Sequence, residues 1–232
     1  MRWAFGRGIW DRRHAITATQ TDIRAALLRR HGTTFAAELG VDPARNTPVP
    51  LFRWFCAALL MSAPISAKIA LAAARALAEA GWTTAGKMAD SRWKDRVKVL
   101  NGAGYGRYDE RTARMLGEAA EMLRDRYGGD LRRLRARAGR DPQAERRLLK
   151  QFKGIGDVGA DIFLREVQTA WDELHPFADG RVLKAAHEFG LPDTAEGLAG
   201  LAGQDDLPRL LAALIRADLA GDTAEDMLRA ER

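Results

Sequence analysis

Apolar residues recur every three or four positions along most of the 232-residue chain, and β-branched runs are scarce. That pattern predicts an all-α protein. Ile23, Leu27 and Leu28 share a stripe in a helix predicted over residues 21–31, with Gly32 ending it. Residues 41–50, which hold Pro43, Pro48 and Pro50, read as a linker or loop. The next segment, 51–61, is so uniformly apolar that its helix must be buried on most sides, and Pro64 stops it. Helices follow over 66–80 and 84–100, then a loop punctuated by Gly102, Gly104 and Gly106 that carries Tyr105 and Tyr108. Residues 109–127 start acidic and end basic, which suits a helix dipole, and Gly128 and Gly129 close that helix. Shorter helices are predicted over 131–138, 144–152, 181–189, 195–202, 207–219 and 224–230. The first dozen residues have no period and read as a tail, and no internal repeat is present.

The chain is long enough for one large domain or two modest ones. Its 37 Lys and Arg against 31 Asp and Glu give +6 and a pI near 9.8. The distribution is sharper than the sum. Between Arg124 and Lys153 stand eleven basic residues against four acids, whereas from Glu188 onward ten acids face four arginines. The positive field is therefore local, and it is either a solvated face or a surface for a polyanion. One cysteine, Cys56, excludes an internal disulfide and a four-cysteine zinc or iron–sulfur site in this chain; set in an apolar run, it reads as packing. His14, His31, His175 and His187 lack metal-ligand spacing, and the six tryptophans read as packing anchors. The opening MRWAFGRGIWDRR lacks the apolar stretch of a signal peptide, and 51–63, interrupted by Arg53, is too short to span a bilayer. These features point to a soluble, cytoplasmic protein.

Residues 148–182 concentrate the chemistry. GIGDVG at Gly154–Gly159 fits the dinucleotide-binding spacing, with Asp179 some way beyond, but that fingerprint requires a buried strand before the first glycine. What precedes it is AERRLLKQF, whose Leu148, Leu149 and Phe152 have helical spacing, so no such strand forms. A plain turn between helices would need only the glycines. Here Ile155 between them is placed to pin the turn to the core, Gly159 and Ala160 permit close packing of a second helix, and the amides of Gly154–Gly159 are free to cradle a phosphate. Asp179 has two compatible readings, as an N-cap ahead of Gly180-Arg181-Val182 or as a working carboxylate.

Residues 148–164 resemble the helix-hairpin-helix of the endonuclease III-like (HhH-GPD) superfamily of DNA glycosylases, and FADGRV resembles the segment carrying that family's catalytic aspartate. Weaker similarity reaches back to LFRWFCAALLMSAPIS. The resemblance implies a two-lobed helical fold, with a six-helix barrel over 50–180 containing the hairpin motif at about 144–171. Residues 1–49 with 181–232 would form a second, terminal lobe. It implies double-stranded DNA as partner to a monomer in base excision repair, and Asp179 as the carboxylate that stabilises charge developing on the sugar and directs a water. DNA contacts would fall to Arg146, Arg147, Lys150, Lys153, Gly154, Ile155, Gly156, Val158, Gly159 and Arg181, with Arg107 and Tyr108 as outlying candidates.

The chain departs from the family at several positions. Val158 stands where bifunctional members carry a Schiff-base lysine, which implies a monofunctional hydrolase without lyase activity; Lys153 and Lys184, the nearest amines, read as phosphate contacts or solvated charges. No acid occurs over 55–61, where adenine-removing members hold a glutamate. Pro64 and Ile65 replace a gap-filling glutamine, so the strand wedge would be apolar. The iron–sulfur cluster of many members is not expected here; Leu198, Leu201, Leu207, Leu210, Leu211, Leu214 and Ile215 would hold the last helices instead. No metal site is expected, though the hairpin leaves room for a monovalent cation. The alternative to a glycosylase is a non-catalytic helix-hairpin-helix DNA-binding protein.

Overall fold

Side-chain caps set where most of the helices begin. A computed structural model describes residues 19–203 and 206–229; Trp3, Trp10, His14, the opening tail and the predicted helix end at Ala230 lie outside them. Thr19, Thr34, Ser66 and Thr84 each accept an amide from the first turn of α1 (Gln20–His31), α2 (Phe35–Glu38), α4 (Ala67–Glu79) and α5 (Ala85–Ala89). Between α2 and α4, α3 (Pro48–Met61) begins on proline, which loses nothing at a helix's first position. The loop expected over 41–50 therefore shrinks, holding a 3-10 turn at Pro43–Arg45 before α3 starts.

The predicted helix over 84–100 is two helices, α5 and α6 (Trp93–Gly102). The break at residues 90–92 is stabilised from within, because the Ser91 hydroxyl donates to Met88 O at 2.6 Å and buried Arg96 donates to Ser91 O at 2.6 Å. Arg96 also reaches Ala113 O at 2.8 Å on α7 (Asp109–Tyr127). A Cβ on Gly117 would stand 2.4 Å from that guanidinium, so the glycine makes room for it. The chain continues through α8 (Leu131–Arg137), α9 (Pro142–Leu149), α10 (Asp157–Val167), α11 (Gly180–Glu188), α12 (Ala195–Ala202), α13 (Leu207–Ala220) and α14 (Ala224–Arg229). Among the described residues every helix or turn-helix fits an all-α fold, with no strand.

Helix α3 is the apolar axis predicted for it, with Leu51, Phe52, Trp54, Phe55 and Leu60 at most 1% exposed, and it packs against α4, α8 and α10. Phe55 meets Phe152 and Phe163 edge-on at 5.0 and 6.2 Å, and Phe163 meets Trp171 at 5.7 Å, so aromatic rings tie the hairpin motif to the core. Cys56 is buried in this helix, which raises its thiol pKa and fits a packing role. The glycine loop is pinned to α3 by Tyr105, whose hydroxyl donates to Leu60 O at 2.7 Å; burial pushes that phenol up to about 12. Helices from both ends of the chain meet, with α1 on α12, α13 and α14, and α11 on α13. Leu198, Leu207, Leu210, Leu211, Leu214 and Ile215 are buried there, whereas Leu201 is only half-buried at the rim.

The segment leading to Asp179 is anchored by a charge cluster. Arg135 of α8 donates Nε to Glu173 Oε1 at 2.6 Å, also bonds Asp172, and lies 5.7 Å from the Trp171 ring. Beneath it, Glu145 of α9 is fully buried, and neither of its oxygens meets a donor among the described residues. Burial, then the neighbouring Glu173, pushes the Glu145 carboxyl up to about 9. Desolvation alone would raise Glu173 as well, but hydrogen bonds from Arg135 and from the proton on Glu145 bring it down to about 2. At neutral pH the cluster thus holds one shared proton and one charge facing Arg135.

Unfolding would release the Glu145 proton near 4.5, while the folded chain keeps it to about 9, so this group lowers stability as pH rises between those values. Glu173, held down to about 2 in the folded chain, adds a small opposing slope only below about pH 6, where the unfolded chain still binds its proton. Glu145→Gln is therefore expected to stabilise the protein at pH 8 by roughly 2–4 kcal/mol, with little change at pH 5. Urea midpoints at the two pH values measure this; parallel pH dependence in wild type and variant would contradict it.

Candidate functional site

The turn between α9 and α10 needs glycine at one position above all. Gly154 has φ +94°, and a Cβ there would press within 3.2 Å of Leu59 and Met115. Phe152 and Ile155 on either side are buried, and Ile155 N donates to Phe152 O at 3.0 Å. Gly156, by contrast, is extended at φ −94° and ψ −160° and caps α10. Gly159 lets α10 approach the end of α3, since a Cβ would lie 2.4 Å from Ser62 Oγ. The amides of Gly156, Asp157, Val158 and Gly159 meet no acceptor among the described residues, and they face an open concavity of about 680 Å³.

The cations at this concavity are occupied. Lys150 Nζ lies 2.7 Å and Arg146 Nη2 3.0 Å from Asp157 Oδ1, and the two bonds hold that exposed carboxyl below its usual range. Arg146 also grips Asp161. Lys153 pairs with Glu118 at 3.1 Å, and Arg181 with Asp218 at 2.7 Å. Arg147 is exposed and makes no ion pair among the described residues, and Lys184 points along its own helix to Glu188 at 3.6 Å. Much of the basic 124–153 segment is likewise paired, as in Arg132 with Asp130 and Arg124 with Asp90.

Asp179 lies on the wall of a second cavity, a cleft of about 390 Å³. Val158, Asp161, Ile162 and Arg165 form one stripe of α10 along it, and Met61, Ile65, Phe35, Ile215 and Leu219 face them. The far side is braced by Arg216 of α13, which bonds Glu38 at 2.6 Å and covers the Phe35 ring at 4.1 Å. Val158 and Leu219 stand exposed at the mouth, and Val158 borders the hairpin concavity as well. Ile65 lies in the cleft. Pro64, exposed in the turn after α3, instead lines a neighbouring cavity of about 280 Å³ with Tyr108, Arg111 and Gly154. Arg107 stacks at 5.5 Å over Tyr108 beside it.

The carboxylate itself satisfies the capping reading, because Asp179 Oδ1 accepts from Arg181 N at 3.1 Å and Val182 N at 3.3 Å. Its other oxygen has a partner on α10, 14 residues away along the chain. Arg165 places Nε at 2.8 Å and Nη2 at 2.7 Å from Oδ2, with both side chains almost fully buried. One turn on, Gln168 accepts from Phe177 N at 3.0 Å and donates to Phe177 O at 3.0 Å, fixing the strand of chain that delivers the aspartate. The signal available in sequence was an adjacent Arg165-Glu166 inside an otherwise apolar helix segment, seven residues after Val158. Buried charges of that kind require partners.

No protein-family model matches the chain, and comparison with curated proteins finds no match. Among solved structures, the chain is similar to endonuclease III trapped as a covalent intermediate with DNA, in an estranged-adenine complex. That likeness has 18% identity and a TM-score of 0.47, and covers 86% of each chain. Among the described residues no group of three or more metal-ligating side chains converges, and no helix is long and apolar enough to cross a membrane.

Replacing Gly154 tests the hairpin's geometry. Gly154→Ala is expected to cost about 2 kcal/mol, from the left-handed φ and the contacts with Leu59 and Met115. Gly156→Ala, in an extended and unobstructed position, is expected to cost under about 1 kcal/mol by the same denaturation measurement.

Proposed function

We propose that this chain is a DNA glycosylase, which hydrolyses the bond between a damaged or mismatched base and its sugar in double-stranded DNA. One observation carries the reading: Asp179 lies in a base-sized cleft whose mouth, at Val158, is also the edge of the hairpin concavity. A duplex backbone seated on the hairpin amides would bring one rotated nucleotide to that mouth. In the reaction a water oxygen bonds to the sugar C1′, and the C1′–N bond breaks with its electron pair passing to the base. The water's proton leaves to the base or to solvent. Asp179 supplies negative charge beside the electron-poor sugar. Val158 offers no amine to the sugar, so the proposed enzyme is monofunctional, working without a metal or cluster. The residues assigned to backbone contact are Arg146, Arg147, Lys150, Lys153, Arg181 and the hairpin from Gly154 to Gly159, and Pro64 and Ile65 are assigned as the wedge. The lobe division, 50–180 against 1–49 with 181–232, the monomeric state and the cytoplasmic location belong to the same proposal.

A second reading, a DNA-binding protein without catalysis, draws on the occupancy of Asp179. Hydrogen bonds from Arg165 Nε, Arg181 N and Val182 N, with Arg165 Nη2 a further 2.7 Å ion-pair contact, occupy most of its carboxylate and leave little room to take a proton from water. A panel of duplexes with single lesions or mismatches separates the two. Base release that drops at least about a hundredfold in Asp179→Asn supports the enzyme; duplex binding without release on any substrate supports the second reading. Borohydride is expected to trap no covalent adduct, and an adduct through any lysine would overturn the monofunctional assignment.

Asp157 makes the grip testable on its own. Because it competes with phosphate for Lys150 and Arg146, Asp157→Ala is expected to tighten binding to an undamaged duplex. Log-log salt dependence should steepen by about 0.9 for each additional phosphate neutralised. Unchanged affinity and slope in Asp157→Ala would remove the hairpin from the DNA surface.

A further inference from the structure

We infer that Arg165 is the positioning residue of the site, holding Asp179 as an aimed, fixed negative charge that stabilises the sugar cation and does not accept the proton of the attacking water. The inference rests on the glycosylase reading and deepens it. Two backbone amides hold Oδ1 through the α11 cap, but a cap alone leaves Oδ2 free to turn about the side-chain bonds. Arg165 removes that freedom with an Nε hydrogen bond at 2.8 Å and an Nη2 ion-pair contact at 2.7 Å on the one oxygen. The guanidinium is itself rigidly based. Its neighbours in sequence, Glu166 and Gln168, are tied to α2 and to Phe177 respectively, and Phe163 O accepts from Trp54 Nε1 at 3.1 Å. Helix α10 therefore sets both the cleft wall and the direction of the carboxylate within it.

The guanidinium has a second, opposite effect, because its positive charge partly masks the carboxylate it orients. The two effects predict opposite results on removal. If orientation dominates, charge stabilisation falls when Arg165 is replaced; if masking dominates, it rises. A misplacement of about 1 Å can cost on the order of a hundredfold in a site of this kind. Both side chains are almost fully buried, so solvent screens neither effect strongly and the substitutions themselves decide between them.

The test uses two duplexes that need no knowledge of the lesion. One carries a pyrrolidine abasic analogue, whose protonated ring nitrogen imitates the sugar cation, and the other carries neutral tetrahydrofuran at the same position. Wild type is expected to prefer the cationic duplex by about a hundredfold, and Asp179→Asn to lose that preference. Arg165→Gln and Arg165→Lys are both expected to cut it by about tenfold or more. The lysine variant keeps the positive charge but cannot reproduce the fixed, planar placement of Nε and Nη2 against the oxygen. Circular dichroism checks that each variant is folded, and the lysine variant carries the test if the glutamine variant is not.

Three results overturn the inference. A preference that rises in Arg165→Gln shows a mask. Equal weakening on both duplexes, with the preference intact, shows a merely structural arginine. A wild type that binds both duplexes without preference defeats the glycosylase reading and this inference with it, and is distinguishable from the other two because it appears before any substitution is made.

Discussion

The buried pair between Arg165 and Asp179 is the interaction on which the architecture of the site depends. Two charges almost fully removed from water are tolerated only when each finds complete hydrogen bonding, since desolvation otherwise outweighs their attraction. That requirement fixes several elements at once. Asp179 must begin α11, whose first amides take its other oxygen. Arg165 must sit on the cleft face of α10. The connecting chain must then pass within reach of Gln168.

Helix α10 meets similar demands on its other faces. Glu166, 3% exposed, gives both oxygens to the first amides of α2, Phe35 N at 2.8 Å and Ala36 N at 2.9 Å. Its burial raises the carboxyl to about 7, against the opposing pull of those amides and of Arg165. Trp54 ties α3 to the same helix through Phe163 O. One helix of eleven residues thereby links the long apolar axis of the fold, the short helix behind the cleft and the loop carrying the aspartate. Movement of α10 would disturb all three, so the cleft's shape is tied to the stability of the core.

The hairpin follows a different logic. Its cations lie at a surface where high dielectric makes each ion pair weak and exchangeable. Asp157, Asp161 and Glu118 occupy Arg146, Lys150 and Lys153 in the absence of a polyanion. A phosphate arriving there must displace internal carboxylates as well as solvent ions, which reduces the gain from each contact. The local excess of positive charge along 124–153 is consequently much smaller in the folded chain than residue counting implies. The free amides of Gly156–Gly159 do not carry that penalty.

Sequence alone determined what depends on neighbours along the chain. The helical class, the buried character of the segment around Trp54 and Phe55, the limits of the helix at Asp109–Tyr127 and the glycine hairpin at Gly154 were all legible from period, capping and turn chemistry. The capping role of Asp179 was legible for the same reason. The short helix α2 was missed because four residues carry no period, and the break at residues 90–92 was missed because its stabilising donor, Arg96, looks in sequence like a solvated charge. Charge pairing was the larger omission. Glu145 with Glu173, Lys153 with Glu118 and Arg165 with Asp179 join residues 14 to 35 positions apart, and no local pattern encodes such a contact. Only the tertiary fold decided which charges were left for a ligand, because burial and partner geometry, not residue type, determine whether an ionised group is free.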